Sequence, residues 1–224
     1  VTAGALRITI LSDVPDHWIE PFVKRLADIL TGQGHRVSLA WSAAEIKTGD
    51  VMFILGCSTI LGPDVLARHQ YNLVVHESAV PRGRGWSPLT WQILEGENDV
   101  PITLFEAAEK VDRGLIYGQD VMRFAGHELV DELRAVQGQK TIDLCLGFIA
   151  AYPEVKGRPQ QGEATYYPRI TPKDSRVDPN RSIVDLFNRF RTADNERYPA
   201  FFEHQGHRYV LKIYKEDQGG PEDQ

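Results

Sequence analysis

His76 ends a short apolar run, Leu73-Val-Val75, and is followed by Glu-Ser-Ala-Val-Pro-Arg-Gly-Arg-Gly-Trp-Ser-Pro88. An imidazole titrates near neutrality, so it can act as acid, base or electrostatic stabiliser at pH 7. Gly83 and Gly85 permit close approach of the backbone to a ligand. Ser87 and Pro88 read as an N-cap and first helical residue, and a helix start offers free N–H groups to an anion. A second group, Val111-Asp-Arg-Gly-Leu-Ile116, places Asp112 just ahead of a strand. A carboxylate beside an imidazole raises its pKa and fixes its orientation, although spacing alone does not bring the two together. Cys57 and Cys145 are the only cysteines and have apolar neighbours, so buried thiols are expected, with no disulfide framework and no metal site.

The elements that must position these residues alternate. Leu6–Leu11, Arg36–Ala40, Val51–Leu55 and Leu73–Val75 read as strands, the later ones buried on both faces. Pro21 opens a helix that ends at Gly32/Gly34, and Gly62-Pro63 opens a short one through Leu66. This order predicts an α/β fold: a Rossmann-like, mostly parallel sheet flanked by helices. Ligands of such sheets dock beyond the strands' carboxyl ends, here after Leu11, Leu55 and Val75. No Gly-x-Gly-x-x-Gly follows the first strand and no P-loop lysine is present, which disfavours ordinary nicotinamide and ATP sites. Downstream, a helix is expected from Ser87 to Leu94, antiparallel strands over Pro101–Phe105 and Gly114–Val121, and a long helix over His127–Ala151. The chain then divides into residues 1–156, a small α+β appendage over 157–214 entered through the polar linker Gly157–Gly162, and a frayed tail over 215–224. The appendage should hold a short helix near Ser182–Arg191 and a strand over Arg208–Tyr214.

His76, Ser78 and Pro81, then Arg84-Gly85 and Pro88, resemble the His-Pro-Ser-Leu-Leu-Pro region of N10-formyltetrahydrofolate-dependent formyltransferases. Thr103 and Val111-Asp112-x-Gly114-x-Ile116 resemble a downstream motif of the same family. Trp18-Ile-Glu-Pro21, Gly85-Trp-Ser-Pro-Leu-Thr-Trp91, Gly126-His-Glu-Leu129, Thr171-Pro-Lys-Asp-Ser175, Asp194–Phe202 and Tyr209–Ile213 extend the likeness toward sugar N-formyltransferases of the pseudaminic-acid type. The resemblance implies transfer of a formyl group from N10-formyltetrahydrofolate to the primary amine of a nucleotide-linked amino sugar. His76 and Asp112 would be catalytic. The family's asparagine two residues before the histidine is Val74 here, so Ser78, Asn72 or a backbone N–H is left as its replacement. The folate would meet Gly56, Cys57, Ser58, Ile60, Leu61, Arg84, Val111 and Gly114. Trp18, Glu77, Trp86, Ser87, Pro88, Tyr167, Arg169, Asn195 and Tyr198 would line the acceptor site.

Other classes weigh against this reading. The chain has 224 residues, 25 Lys+Arg and 31 Asp+Glu, for a net charge of −6. An acidic chain lacks the electrostatic footprint of a nucleic-acid binder, and the tRNA-directed branch of the family is expected to need a basic C-terminal domain. No run is long and apolar enough for a membrane span, and no secretory leader is seen, so a cytoplasmic location is expected. A strand-bearing C-terminus is compatible with a homodimer. Two alternatives stay open: a formyltransferase-fold binding protein without turnover, which Val74 favours, and a formyltransferase for another small amine such as an amino acid.

Overall fold

The alternation in Arg-Ile-Thr-Ile-Leu produces β1 (Arg7–Leu11), with Ile8 and Ile10 buried. The computed structural model describes residues 4–107 and 114–216. α1 (Glu20–Gly32) buries Val23, Leu26, Ala27 and Leu30 along one face, with Pro21 in its first turn. Gly34 stops the helix at φ +89°, where its amide and that of His35 turn back to the carbonyls of Thr31 and Leu30. β2 (Arg36–Ala40), β3 (Gly49–Ile54), the single-turn α2 (Pro63–Leu66) and β4 (His69–His76) follow. These four strands are parallel, in the order β2-β1-β3-β4.

Beyond β4 lie β5 (Arg84–Gly85), α3 (Pro88–Leu94), β6 (Asp99–Glu106) and β7 (Ile116–Arg123). β6 and β7 extend the sheet antiparallel past β4, giving β2-β1-β3-β4-β6-β7. α4 (Val130–Ala151) crosses back over the sheet beside α1. A Cβ on Gly138 of α4 would lie 2.5 Å from the Phe22 ring, so this glycine sets how closely the two helices approach. The main core lies between these helices and the sheet, around Ile10, Phe53, Leu73, Leu104, Ile142 and Phe148. The opposite face carries two smaller clusters, one around Met52 and Ile54 and one around Val80, Phe105 and Ile116.

The remaining elements are β8 (Tyr166–Tyr167), α5 (Phe187–Arg191), β9 (Ala200–His204) and β10 (His207–Leu211). β8 pairs in parallel with β5. Val177, Phe190, Ala193 and Ala200 form a small local core.

Several local expectations are corrected. The single strand over Arg208–Tyr214 is the second arm of a hairpin whose first arm, β9, went unread. Its turn uses Gln205 at φ +48° and Gly206 at φ +80°, and a left-handed glutamine is a weak hairpin signal. The strand ends at Leu211, and Asn195 then binds both backbone groups of Ile213. Only Phe187–Arg191 of the expected helix near Ser182 is α-helical. Ser87 does precede α3, but at φ +47° and with no side-chain cap bond. The polar stretch over 157–162 is tied down: Arg158 exchanges backbone bonds with Ile116, and Gln160 binds Arg84 and the Gly114 carbonyl. Lys215, expected in the tail, pairs with Glu132 at 2.6 Å; residues 217–224 lie outside the described residues. Among the described residues no helix is long and apolar enough to cross a membrane.

Candidate active site

The reversal of strand direction at β4 places His76 where the sheet opens. His76 is buried, opposite Thr103 of β6, which is opposite Gln119 of β7. Directly opposed residues share a sheet face, so the three side chains form a row. His76 Nε2 lies 2.9 Å from the Gly83 carbonyl, and the ring meets Phe105 edge-on. A carbonyl only accepts, so Nε2 carries a proton, and in the neutral ring the lone pair is on Nδ1. Gly83 reaches this position at φ +72°, where a Cβ would lie 2.9 Å from that of Ser78.

The loop after His76 is held from below. Thr103 Oγ1 donates to the Ser78 carbonyl at 2.6 Å, Gln119 Nε2 donates to Thr103 Oγ1, and Arg158 donates to Gln119 Oε1. Ser78 itself is enclosed, with its hydroxyl unpartnered among the described residues. Glu77 points the other way, where Gln137 of α4 binds its carboxylate and Gln92 of α3 its carbonyl.

Val74 lies on the His76 face between Ile54 and Phe105, half-buried, and packs on the cluster of Met52 and Ile54, as Cys57, Leu61 and Ala107 do. Asn72 is deeper. Its Nδ2 donates to the Leu66 carbonyl, and its Oδ1 is enclosed without a partner among the described residues. Its backbone N–H donates to Glu106, a carboxyl that burial pushes up to about 7 despite that bond. Glu106 is a residue the sequence reading missed, because a lone acid at a strand end carries no motif.

The loop over 56–61 is organised by Asp13, also missed, although it stands just past β1 where ligand-side residues are expected. Its carboxylate accepts the N–H groups of Ser58 and Thr59 at 2.7 and 2.9 Å. Burial opposes its ionisation, but the bonds from Thr59 and Ser58 outweigh that and hold its pKa below the usual carboxylate value. Gly56 stands at φ +66° against His17 and Ile19. Cys57 donates to the Leu11 carbonyl, and burial pushes its thiol up to about 12, so it is no nucleophile at neutral pH. Ile60 is 74% exposed beside half-buried Leu61, an apolar rim.

Arg84 is only 6% exposed, and its partners are the neutral Gln160 and Tyr166 side chains. Near it an aromatic shelf gathers several expected acceptor residues. Arg169 lies 4.9 Å over the exposed Trp86 ring, and Tyr167 stacks on Trp91. Tyr167 donates to Glu95, which with burial pushes its hydroxyl up to about 12. Pro88 is buried and Ser87 exposed at this edge. Trp18 and the segment with Asn195 and Tyr198 belong to a different neighbourhood. Trp18 packs on the main core under Arg134, which pairs with Asp194, while Arg197 reaches the Asp16 carbonyl. His17 beside it is held neutral, first by burial and then by Arg134 and Arg197. Gly114 abuts the Glu106 backbone so closely that no Cβ fits. Val111 and Asp112 lie outside the described residues.

Residues 36–140 match the profile of the Formyl transferase family. A methionyl-tRNA formyltransferase of Thermosynechococcus vestitus is 29% identical over 167 residues, 73% of this chain and 49% of that protein. The chain thus spans about half the length of the curated relatives it matches. Among solved structures, HypX from Aquifex aeolicus in complex with tetrahydrofolic acid superposes with a TM-score of 0.78 at 20% identity, over 94% of this chain and 38% of that one. A likely sugar N-formyltransferase from Mycobacterium tuberculosis gives 0.74 at 18% identity, over 98% of this chain and 100% of that one.

Proposed function

We propose that this chain, which carries a formyl transferase domain over residues 36–140, moves a formyl group from N10-formyltetrahydrofolate to the primary amine of a nucleotide-linked amino sugar. The observation that carries the chemistry is the buried His76 ring, fixed through Nε2 so that its other nitrogen, Nδ1, is left for proton transfer. The apolar rim of Ile60, Leu61 and Val74 suits a flat heterocycle, so the residues present fit the donor. The bound donor supplies a formyl carbon open to attack by an amine.

His76 Nδ1 would accept the proton that the amine sheds, the resulting imidazolium would stabilise negative charge on the formyl oxygen, and the ring would then return that proton to N10 as the formyl C–N10 bond breaks and tetrahydrofolate leaves. Asp112, carried over by resemblance, orients and charge-tunes that ring. Gly83 and the Thr103–Ser78 bond hold the loop so that ring and substrates stay in register. The acceptor's sugar class rests on the shelf of Trp86, Arg169 and Tyr167, whose flat faces and guanidinium suit a nucleobase and phosphate.

The test pairs calorimetric binding of 5-formyltetrahydrofolate with turnover on a panel of nucleotide-linked amino sugars. His76→Asn should lower kcat by about 10²–10⁴-fold while donor affinity stays within a few fold. An unchanged kcat removes His76 from the reaction. The tRNA formyltransferase relative favours a second reading, in which the acceptor is methionyl-tRNA. The net charge of −6 weighs against it, and formylation of methionyl-tRNA with no turnover on the sugars would establish it.

A further inference from the structure

A groove of about 600 Å³ is lined by residues 116–121 of the edge strand β7. Ala79 of the His76 loop, Lys156 and Arg158 also line it. Lys156 has no ion pair among the described residues, and Arg158 binds only the neutral Gln119 side chain. Among the described residues the one acid lining the groove, Asp120, pairs with Lys140 at 2.5 Å. Among the described residues the groove therefore presents two cations without an acidic partner, and one of them, Arg158, ends the Arg158–Gln119–Thr103–Ser78 chain of hydrogen bonds.

The sheet sets the distance. His76, Thr103 and Gln119 are directly opposed on three adjacent strands, so Gln119 stands two strand spacings, roughly 10 Å, from His76. In the donor the formyl group sits at one end of an aminobenzoyl unit and the glutamate carboxylates sit at the other, a comparable span. We infer that the groove along β7 binds the anionic glutamyl tail of the formyl donor, its carboxylates meeting Lys156 and Arg158. The inference rests on the folate reading above. The same two cations would also suit the phosphates of the acceptor, so the experiment separates the two sources.

Affinity of the full chain is measured for 5-formyltetrahydrofolate carrying one or three glutamates, and for uridine diphosphate, in wild type, Lys156→Glu and Arg158→Gln. Lys156 is exposed, so its variant folds; Arg158→Gln provides a second, charge-neutral probe. The triglutamate should bind about three- to tenfold more tightly than the monoglutamate in wild type. The advantage should shrink with added salt and vanish in Lys156→Glu. Equal affinities for the two folates overturn this inference alone. Failure of either folate to bind overturns it together with the donor reading. A loss confined to uridine diphosphate assigns the cations to the acceptor and also overturns it.

Discussion

At the scale of single residues, the two departures from a plain α/β core are Glu106 and Val74. Glu106 has its pKa raised to about 7 by burial, above the ordinary 4.5 of a glutamate. Folding thus favours its neutral form: its contribution is fully present below pH 4.5 and is lost as pH rises through about 7. Glu106→Gln keeps an oxygen for the Asn72 N–H and removes the charge. It should stabilise the protein at pH 8 by an amount on the order of 1–3 kcal/mol and leave it nearly unchanged at pH 4.5. Urea unfolding of both proteins at the two pH values checks this, and a pH-independent difference would refute it. Val74 is half-buried on the His76 face rather than enclosed. Val74→Asn should therefore cost less than about 2 kcal/mol in denaturant unfolding, whereas a loss beyond roughly 3 would mark the position as core. His76 was legible because histidine at a strand's carboxyl end followed by glycines is a local pattern. Asp13, Glu106 and Gln119 were not. Their importance comes from partners 45, 34 and 16 residues away, which no local window contains.

Among the elements, the parallel strands and long helices were legible because their apolar periodicity extends over many residues. The hairpin of β9 and β10 was not, because its turn lacks the Asn-Gly signature. β4 begins at His69, four residues before its apolar run, because His69 and Asn72 are buried by side-chain bonds rather than by hydrophobicity. The α1–α4 contact depends on Gly138, which carries a helix-interior cost of about 1 kcal/mol relative to alanine. Gly138→Ala should still destabilise, by about 1–3 kcal/mol, because the new methyl meets the Phe22 ring. Phe22→Ala in the same chain should recover part of that loss. Additive losses in the double-mutant cycle would show that the two do not touch.

Across the whole molecule, the C-terminal segment is bound to the sheet domain by polar ties as well as by its own small core. Arg191, 1% exposed, joins α5 to Glu128 at 3.3 Å and to Asn98 at 2.6 Å. Arg191→Met should strip the guanidinium from Asn98 and from Glu128, which keeps only its bonds from the Ala125 and Gly126 amides, and cost about 3 kcal/mol. Faster proteolytic cleavage within residues 177–214 than within residues 36–107 would localise the damage, and uniform cleavage would contradict a local role. The appendage was legible as a change of texture, but its attachment was not, since each tie joins residues far apart in sequence.

One of those ties governs the order in which the protein matures. β8 joins β5 across 82 residues, Thr165 bonds to both Gly83 and Arg84, and Gly83 in turn holds the His76 ring. During synthesis the parallel strands and α4 leave the ribosome before this clamp exists. Contacts of such long sequence separation form late because the loop-closure cost precedes their reward. A nascent chain halted before Thr165 would thus own a nearly complete sheet and an unset histidine. Chemical competence is among the last properties the growing polypeptide acquires.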